Sequence, residues 1–90
     1  MIEYKAAFYE DREGGWFLAK VLDFPGVVTQ GRTLDQARRM LNDALREMTE
    51  WLLEDGQPLP HPDPAVHDPS AAVVEPIRLI IRVRSGAAAP

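Results

Sequence analysis

The sequence predicts an α+β domain in the order β-β-β-α-β, a mixed four-stranded sheet with one long helix on one face. Three observations carry this expectation. Residues 2–10 alternate in polarity, the period of a half-buried strand. Two glycine-bearing turns then divide the next twenty or so residues into short β-rich runs. From Leu34 to Leu52 apolar residues recur every three or four positions, the period of an amphipathic helix.

In the first strand Ile2, Tyr4, Ala6 and Phe8 point one way, and Glu3, Lys5, Ala7 and Tyr9 the other. Glu10 to Gly15 is charged and ends in two glycines, which makes a hairpin loop. Trp16 to Leu22 is the second strand, with Phe17, Ala19 and Val21 opposite Trp16, Leu18 and Lys20. In Asp23-Phe24-Pro25-Gly26, proline presets φ at the second turn position and glycine accepts a positive φ at the third, the chemistry of a type II turn. Val27 to Gln30 is the third strand, ended by Gly31.

Thr33 is placed to cap the helix, with Gln36 three residues on completing a capping box. Leu34, Ala37, Leu41, Ala44, Leu45, Met48 and Leu52 form its apolar stripe. Trp51, beside the stripe, is expected to pack between helix and sheet. Asp35, Arg39, Asp43, Arg46, Glu47 and Glu50 form a solvated face, with Asp35–Arg39 and Arg39–Asp43 as i,i+4 ion pairs. Asp55-Gly56 closes the helix. Six of the eight prolines then fall between Pro58 and Pro76. Residues 57–76 are therefore expected to be an extended connector, since proline suits neither a helix interior nor a central strand. Ile77 to Val83 is the last strand, with Ile77, Leu79, Ile81 and Val83 buried and Arg78, Ile80, Arg82 and Arg84 outside. Short loops make the first three strands antiparallel, and the long crossover is expected to lay the fourth parallel to the first. Residues 1–84 would form one domain and 85–90 a disordered tail.

The composition excludes several functions. Ten basic and 14 acidic residues give a net charge of −4, which argues against a broad basic face for nucleic acid. The chain has no cysteine, so disulfides, thiolate catalysis and cysteine-based zinc sites are excluded. No apolar run approaches the roughly 18 residues of a membrane span, and the N-terminus is no signal peptide. The expected location is the cytoplasm.

Candidates for chemistry are few. His61 and His67, with Asp63 and Asp68 nearby, have metal-ligand chemistry but lie in the proline-rich connector, so they read as solvated loop residues. Gly14-Gly15 opens a strand rather than a helix and is no phosphate loop. The only serines, Ser70 and Ser85, have no base to activate them. Glu3, Asp23 and Asp35 are a carboxylate set that could bind Mg²⁺, but they read more simply as a surface charge, a turn residue and a first-turn helix acid. No cofactor, metal or catalytic residue is expected. Outside the helix-covered core, Trp16, Leu18, Tyr9 and Ile80 among charges suggest a partner, with Trp16, Leu18 and Ile80 as a self-association face.

The stretch Gly15 to Ala37, with its aromatic strand, Asp23-Phe24-Pro25-Gly26 turn and Thr29-Gln30-Gly31-Arg32-Thr33 run, resembles the HicB family of antitoxins. Gly56-Gln57-Pro58-Leu59-Pro60 matches the family's post-helix signature, so the resemblance covers roughly residues 2–60. Leu22, Val27 and Gln36 depart from the commoner proline, cysteine and glutamate, and the connector after Pro60 is long. The resemblance implies a partial RNase H-like fold in which Asp23, Pro25, Gly26, Gly31, Thr33, Gln36 and Ala37 are scaffold residues. It also implies a function: binding and neutralising a HicA-type toxin, a small basic ribonuclease that cleaves mRNA, by occluding its active surface. An acidic chain suits such a partner. Glu10, Asp11 and Glu13 in the hairpin and Asp43, Glu47 and Glu50 on the helix are the candidate toxin-facing charges.

Many HicB proteins add a C-terminal DNA-binding module. The expectation here is the N-terminal domain alone, with no direct nucleic-acid partner and assembly into a dimer or tetramer. The alternative is an orphan oligomeric domain with no toxin. More remote is a nuclease using Mg²⁺ and carboxylates.

Overall fold

The computed structural model describes residues 1–80. Expectations about Ile81 to Arg84 and the 85–90 tail lie outside the described residues. Strands β1 (Ile2–Asp11), β2 (Trp16–Val21) and β3 (Val28–Gly31) precede helix α1 (Leu34–Glu54), and β4 (Val73–Leu79) follows. The strands form one sheet in the order β3-β2-β1-β4.

The local signals act as their chemistry dictates. Glu13 and Gly14 N–H groups donate to Asp11 Oδ1 (3.1 and 3.2 Å), which closes the first hairpin. At the second turn Gly26 has φ +92°, and Val27 N–H donates to the Phe24 carbonyl at 3.4 Å, as a type II turn requires. Thr33 Oγ1 accepts from Gln36 N–H (3.0 Å), while Gln36 Oε1 accepts from Arg32 N–H (2.6 Å). The box thus reaches one residue further back than the usual N-cap amide. The helix ends in a Schellman pair: Gln57 N–H to the Leu52 carbonyl (2.8 Å) and Gly56 N–H to the Leu53 carbonyl (3.1 Å).

One face of the sheet meets the helix. Tyr4, Ala6 and Phe8 of β1, Ala19 and Val21 of β2, and Ile77 and Leu79 of β4 pack with Ala37, Leu41 and Leu45 of α1. Phe24 and Val27 from the Pro-Gly turn close one end, Phe24 meeting the Tyr4 ring edge-on at 5.2 Å. Gly31 sets the helix height: a Cβ there would lie 2.6 Å from the Ala37 backbone nitrogen.

Three expectations are corrected. First, the sheet is wholly antiparallel rather than mixed: β4 pairs antiparallel with β1, Ile2 opposite Leu79 and Phe8 opposite Val73. The reason lies in residues 57–72, which form a strap following β1 in its own direction. Tyr4 donates its hydroxyl to the Pro60 carbonyl, Lys5 Nζ donates to the Pro64 and Val66 carbonyls, and Tyr9 donates its hydroxyl to Asp68. The return leg is used up on the sheet face. A turn at Asp68, whose Oδ1 accepts from the Ser70 amide and hydroxyl, then reverses the chain into β4.

Second, β4 starts at Val73 and includes Pro76, three residues before the expected connector ends. β4 is an edge strand, and Pro76 faces Lys5. Lys5 spends its backbone groups towards β2, donating to Asp23 Oδ1 and accepting from Leu22 N–H. Pro76 is therefore asked for no ladder bond.

Third, Ala7, on the expected polar side of β1, is fully buried. It sits on the outer face at the level of the strap, between Lys20 and Val74 of the flanking strands.

Candidate interaction surface

The carboxylates considered for a metal site are spent separately. Glu3 pairs with Arg78 (3.2 Å) and Asp35 with Arg38 (2.9 Å). Asp23 is buried, and its two oxygens accept from the backbone N–H groups of Lys5 (2.9 Å) and Asp63 (3.0 Å). It fastens the strap where the chain passes the end of β2. His61 and His67 are exposed on the strap, and among the described residues no three His, Asp or Glu side chains converge. A pocket of about 350 Å³ opens between strap and β4, lined by Lys5, Asp23, Asp63, Pro64, Val74 and Pro76 among others. Its principal polar groups already serve the strap.

The strap bonds are electrostatically tuned. Hydrogen bonds from Tyr9 and Ser70 hold the Asp68 carboxyl down at about 2. Burial, then the bond to Asp68, pushes the Tyr9 phenol up to about 12. Lys20 Nζ lies 5.3 Å from the Tyr9 ring centroid, adding a cation–π contact. Burial and the nearby Asp23 charge raise Tyr4 as well, so it donates to Pro60 as a neutral phenol.

The hairpin acids lie at one end of the molecule and Glu47 and Glu50 towards the other, with Asp43 in the middle of the helix. Gly31, which pairs with Phe17 near the β1–β2 hairpin, lies against Ala37 at the start of α1, whereas Gly26 faces Met48, six residues before the helix ends at Glu54. The helix thus runs away from Glu10, Asp11 and Glu13, over roughly 30 Å for its length. Asp11 is occupied as the hairpin cap. Asp43 pairs with Arg46, and Arg38 bridges Asp35 to Glu75 of β4. These replace the expected Asp35–Arg39 and Arg39–Asp43 pairs, because i,i+3 partners and a strand carboxylate lie within closer reach. Glu47 and Glu50 are exposed and in no ion pair among the described residues.

Among the described residues, two areas group exposed apolar side chains. On the outer sheet face beyond the strap, Leu18 is 43% and Val28 54% exposed. Trp16 is half-buried, its ring 4.8 Å from the Arg32 guanidinium carbon. Ile80 does not join them: it follows Leu79, which pairs with Ile2, while Trp16 pairs with Asp11 at the other end of β1. The second area is on the helix. Trp51 is 61% exposed rather than packed between helix and sheet, a correction of the sequence reading. The stripe places Met48 and Leu52 on the inner face, and position 51 is rotated off it towards solvent. Beside it, a groove lined by Gly26, Val27, Ala44, Glu47, Met48 and Trp51 separates the helix from the Pro-Gly turn.

Residues 3–83 match the sequence profile of the family described as HicB_like antitoxin of bacterial toxin-antitoxin system. The chain belongs to the HicB-like antitoxin family. It is 34% identical over 67 residues to Antitoxin HicB 1 of Photorhabdus laumondii subsp. laumondii, an alignment spanning 74% of this chain but 43% of that relative. Among solved structures it resembles the N-terminal domain of Burkholderia pseudomallei antitoxin HicB, at TM-score 0.74 and 25% identity, over 89% of this chain and 100% of that one. The longer antitoxin HicB from the same organism matches at TM-score 0.70 and 23% identity, over 98% of this chain and 80% of that one. A chain from a HicA3 and HicB3 toxin-antitoxin complex matches at TM-score 0.65 and 22% identity, over 86% of this chain and 96% of that one. The fold is that of HicB N-terminal domains.

Against this HicB-like frame, two features escaped sequence reasoning: the Asp23 clamp and the Trp51 groove. Asp23 read as a turn residue because its second partner, Asp63, lies forty positions away. The groove had a signal. No Lys or Arg occurs from Glu47 to Ile77, and a tryptophan in the middle of an acidic helix turn is costly to expose. No helix is long and apolar enough to cross a membrane among the described residues.

Proposed function

We propose that this chain is an antitoxin module that binds a cognate HicA-type mRNA-cleaving toxin and neutralises it by occluding its active surface. Membership of the HicB-like antitoxin family carries the reading. A fold likeness to a chain from a toxin-antitoxin complex is consistent with it. So is the net charge of −4, which favours encounter with a basic protein. The proposed role is non-enzymatic, a reading supported by the separate partners that hold Glu3, Asp23 and Asp35. The work would be done in the cytoplasm, where mRNA is translated, without direct contact with nucleic acid.

The test is co-expression with the product of the adjacent gene, expected to be a small basic protein, followed by copurification and an mRNA-cleavage assay. A stable complex with suppressed cleavage is expected. A basic neighbour that neither copurifies nor loses activity overturns the reading.

A second reading, an oligomeric domain without a toxin, draws on the exposed Leu18 and Val28 of the outer face. Light scattering over a hundredfold concentration range checks it. A constant monomer mass removes this face as a self-interface.

A further inference from the structure

The C-terminal half of α1 is built unlike the rest of the surface. Trp51 and Leu53 expose 61% and 49% of their area, in a helix whose other large apolar residues mostly face the core. The groove beside Trp51, of about 560 Å³, has an apolar floor of Val27, Ala44 and Met48. Gly26 leaves its far wall without a side chain; a Cβ there would come within 3.4 Å of Met48 Cε. The one charged residue that lines the groove is Glu47, and acids continue from there to the helix end. Glu47, Glu50, Glu54 and Asp55 follow one another on and just past the last two turns, and no basic residue occurs in the last turn. Among the described residues none of the four makes an ion pair. The C-terminal end of a helix carries partial negative charge, so acids are disfavoured and cations favoured there. The arrangement works against the stability of the free chain on two counts: an uncovered tryptophan and like charge at the negative pole. Both are relieved by one kind of occupant, a basic surface that presents an apolar side chain.

We infer that this groove is the docking site for a basic protein, an apolar or aromatic side chain of which enters between Trp51 and the Pro25-Gly26 turn while its Lys and Arg residues meet Glu47, Glu50 and Glu54. This deepens the proposed function and rests on it: the basic protein is the toxin. Trp51 is the anchor and the acids set encounter rate and orientation. The hairpin charges Glu10 and Glu13, at the other end of the molecule, take no part.

The experiment uses the full chain and the purified product of the adjacent gene, expected to be a small basic protein, with affinity measured by calorimetry and rates by surface plasmon resonance. Wild-type binding tests the proposed function, and its absence removes that reading and this inference together. Given wild-type binding, Trp51→Ala is expected to weaken the complex about 30-fold or more, through dissociation. Glu47→Lys with Glu50→Lys is expected to slow association about tenfold and to flatten its salt dependence. Glu10→Lys with Glu13→Lys is expected to change affinity less than about threefold. Trp51 is exposed, so its variant should keep the wild-type circular dichroism spectrum and melting temperature. In a Trp16→Phe background the remaining tryptophan emission should shift to the blue on complex formation. Equal affinity of wild type and Trp51→Ala, with no emission shift, overturns the inference while leaving the antitoxin reading intact. So does a wild-type dimer that Trp51→Ala dissociates, since the groove would then belong to a second copy of the chain.

Discussion

The two faces of the sheet are covered by different chemistry. The inner face meets α1 through apolar side chains from every strand but β3, with Gly31 holding that strand against the helix backbone. The strap begins on the inner side, where Leu59 packs against the core and the Pro60 carbonyl accepts from Tyr4, and then crosses the outer face with little apolar contact beyond a half-buried Val66, held there by the side chains of Lys5, Tyr9 and Asp23. Ala7, on the outer face at the level of the strap, is fully buried. The difference teaches that a small domain can close part of its second face with directed hydrogen bonds instead of a second helix. Removing a methylene cluster and removing a buried acceptor should therefore fail in different ways.

The largest effect is expected on the inner face. Leu41 is fully buried at the centre of the helix stripe, and Leu41→Ala should cost about 2–5 kcal/mol. For a chain of this size that is a fall in Tm of roughly 10 °C or more, checked by a thermal melt. A loss below about 1 kcal/mol would show that the inner face is not the dominant core.

Next comes the clamp of the outer face. Asp23→Ala strands the Lys5 and Asp63 amides, both of which donate to it, at a cost of about 2–3 kcal/mol. The location of the damage matters more than its size. Hydrogen exchange should show the amides of Asp63, Ala65 and Val66 losing protection while the helix amides keep theirs, since the strap can open without the inner core. Uniform loss of protection would mean that the two faces fold as one unit.

The inner face was legible in the sequence because burial against a helix writes a period. Tyr4, Ala6 and Phe8 alternate, and Ala37, Leu41 and Leu45 recur every four residues. The turn and cap at Gly26 and Thr33 were legible because their backbone geometry restricts residue choice. The outer face was not. A strap bonded through the main-chain carbonyls of Pro60, Pro64 and Val66 leaves no side-chain pattern, since any residue supplies a carbonyl. The direction of β4 followed from the strap's path, so it was lost with it. The interaction surface was half legible: the acids were visible, but which of them are already paired depends on rotamers, and the exposure of Trp51 turns on one residue's rotation about the helix axis.

Smaller still is the pH response of the strap. The Asp68 carboxyl falls from 3.8 to about 2 on folding, so its contribution is present above pH 4 and is lost as pH falls from about 4 to 2. The Tyr9 phenol rises from 10.0 to about 12, so its contribution is intact below pH 10 and is lost as pH climbs from there to 12. Stability should thus be flat between, apart from other groups. Asp68→Asn should remove this residue's share of the acid loss, seen as a shallower fall in Tm between pH 4 and 2. An unchanged acid limb would show that the Tyr9–Asp68 bond contributes nothing.

The smallest effect belongs to the part of the outer face that the strap leaves open. Leu18 is 43% exposed between Tyr9 and Gln30 of the neighbouring strands. In an isolated chain Leu18→Thr keeps a β-favouring side chain and removes little buried area, so Tm should move by no more than a few degrees. The same substitution becomes informative when concentration is varied. If this face is covered by a second copy, the wild type gains stability with concentration and Leu18→Thr lowers Tm most at high concentration, because mass action favours the folded, associated state. If the face is open, the two melts run parallel at every dilution. Parallel melts together with an intact strap would leave hydrogen bonding alone as what closes the second face of this sheet.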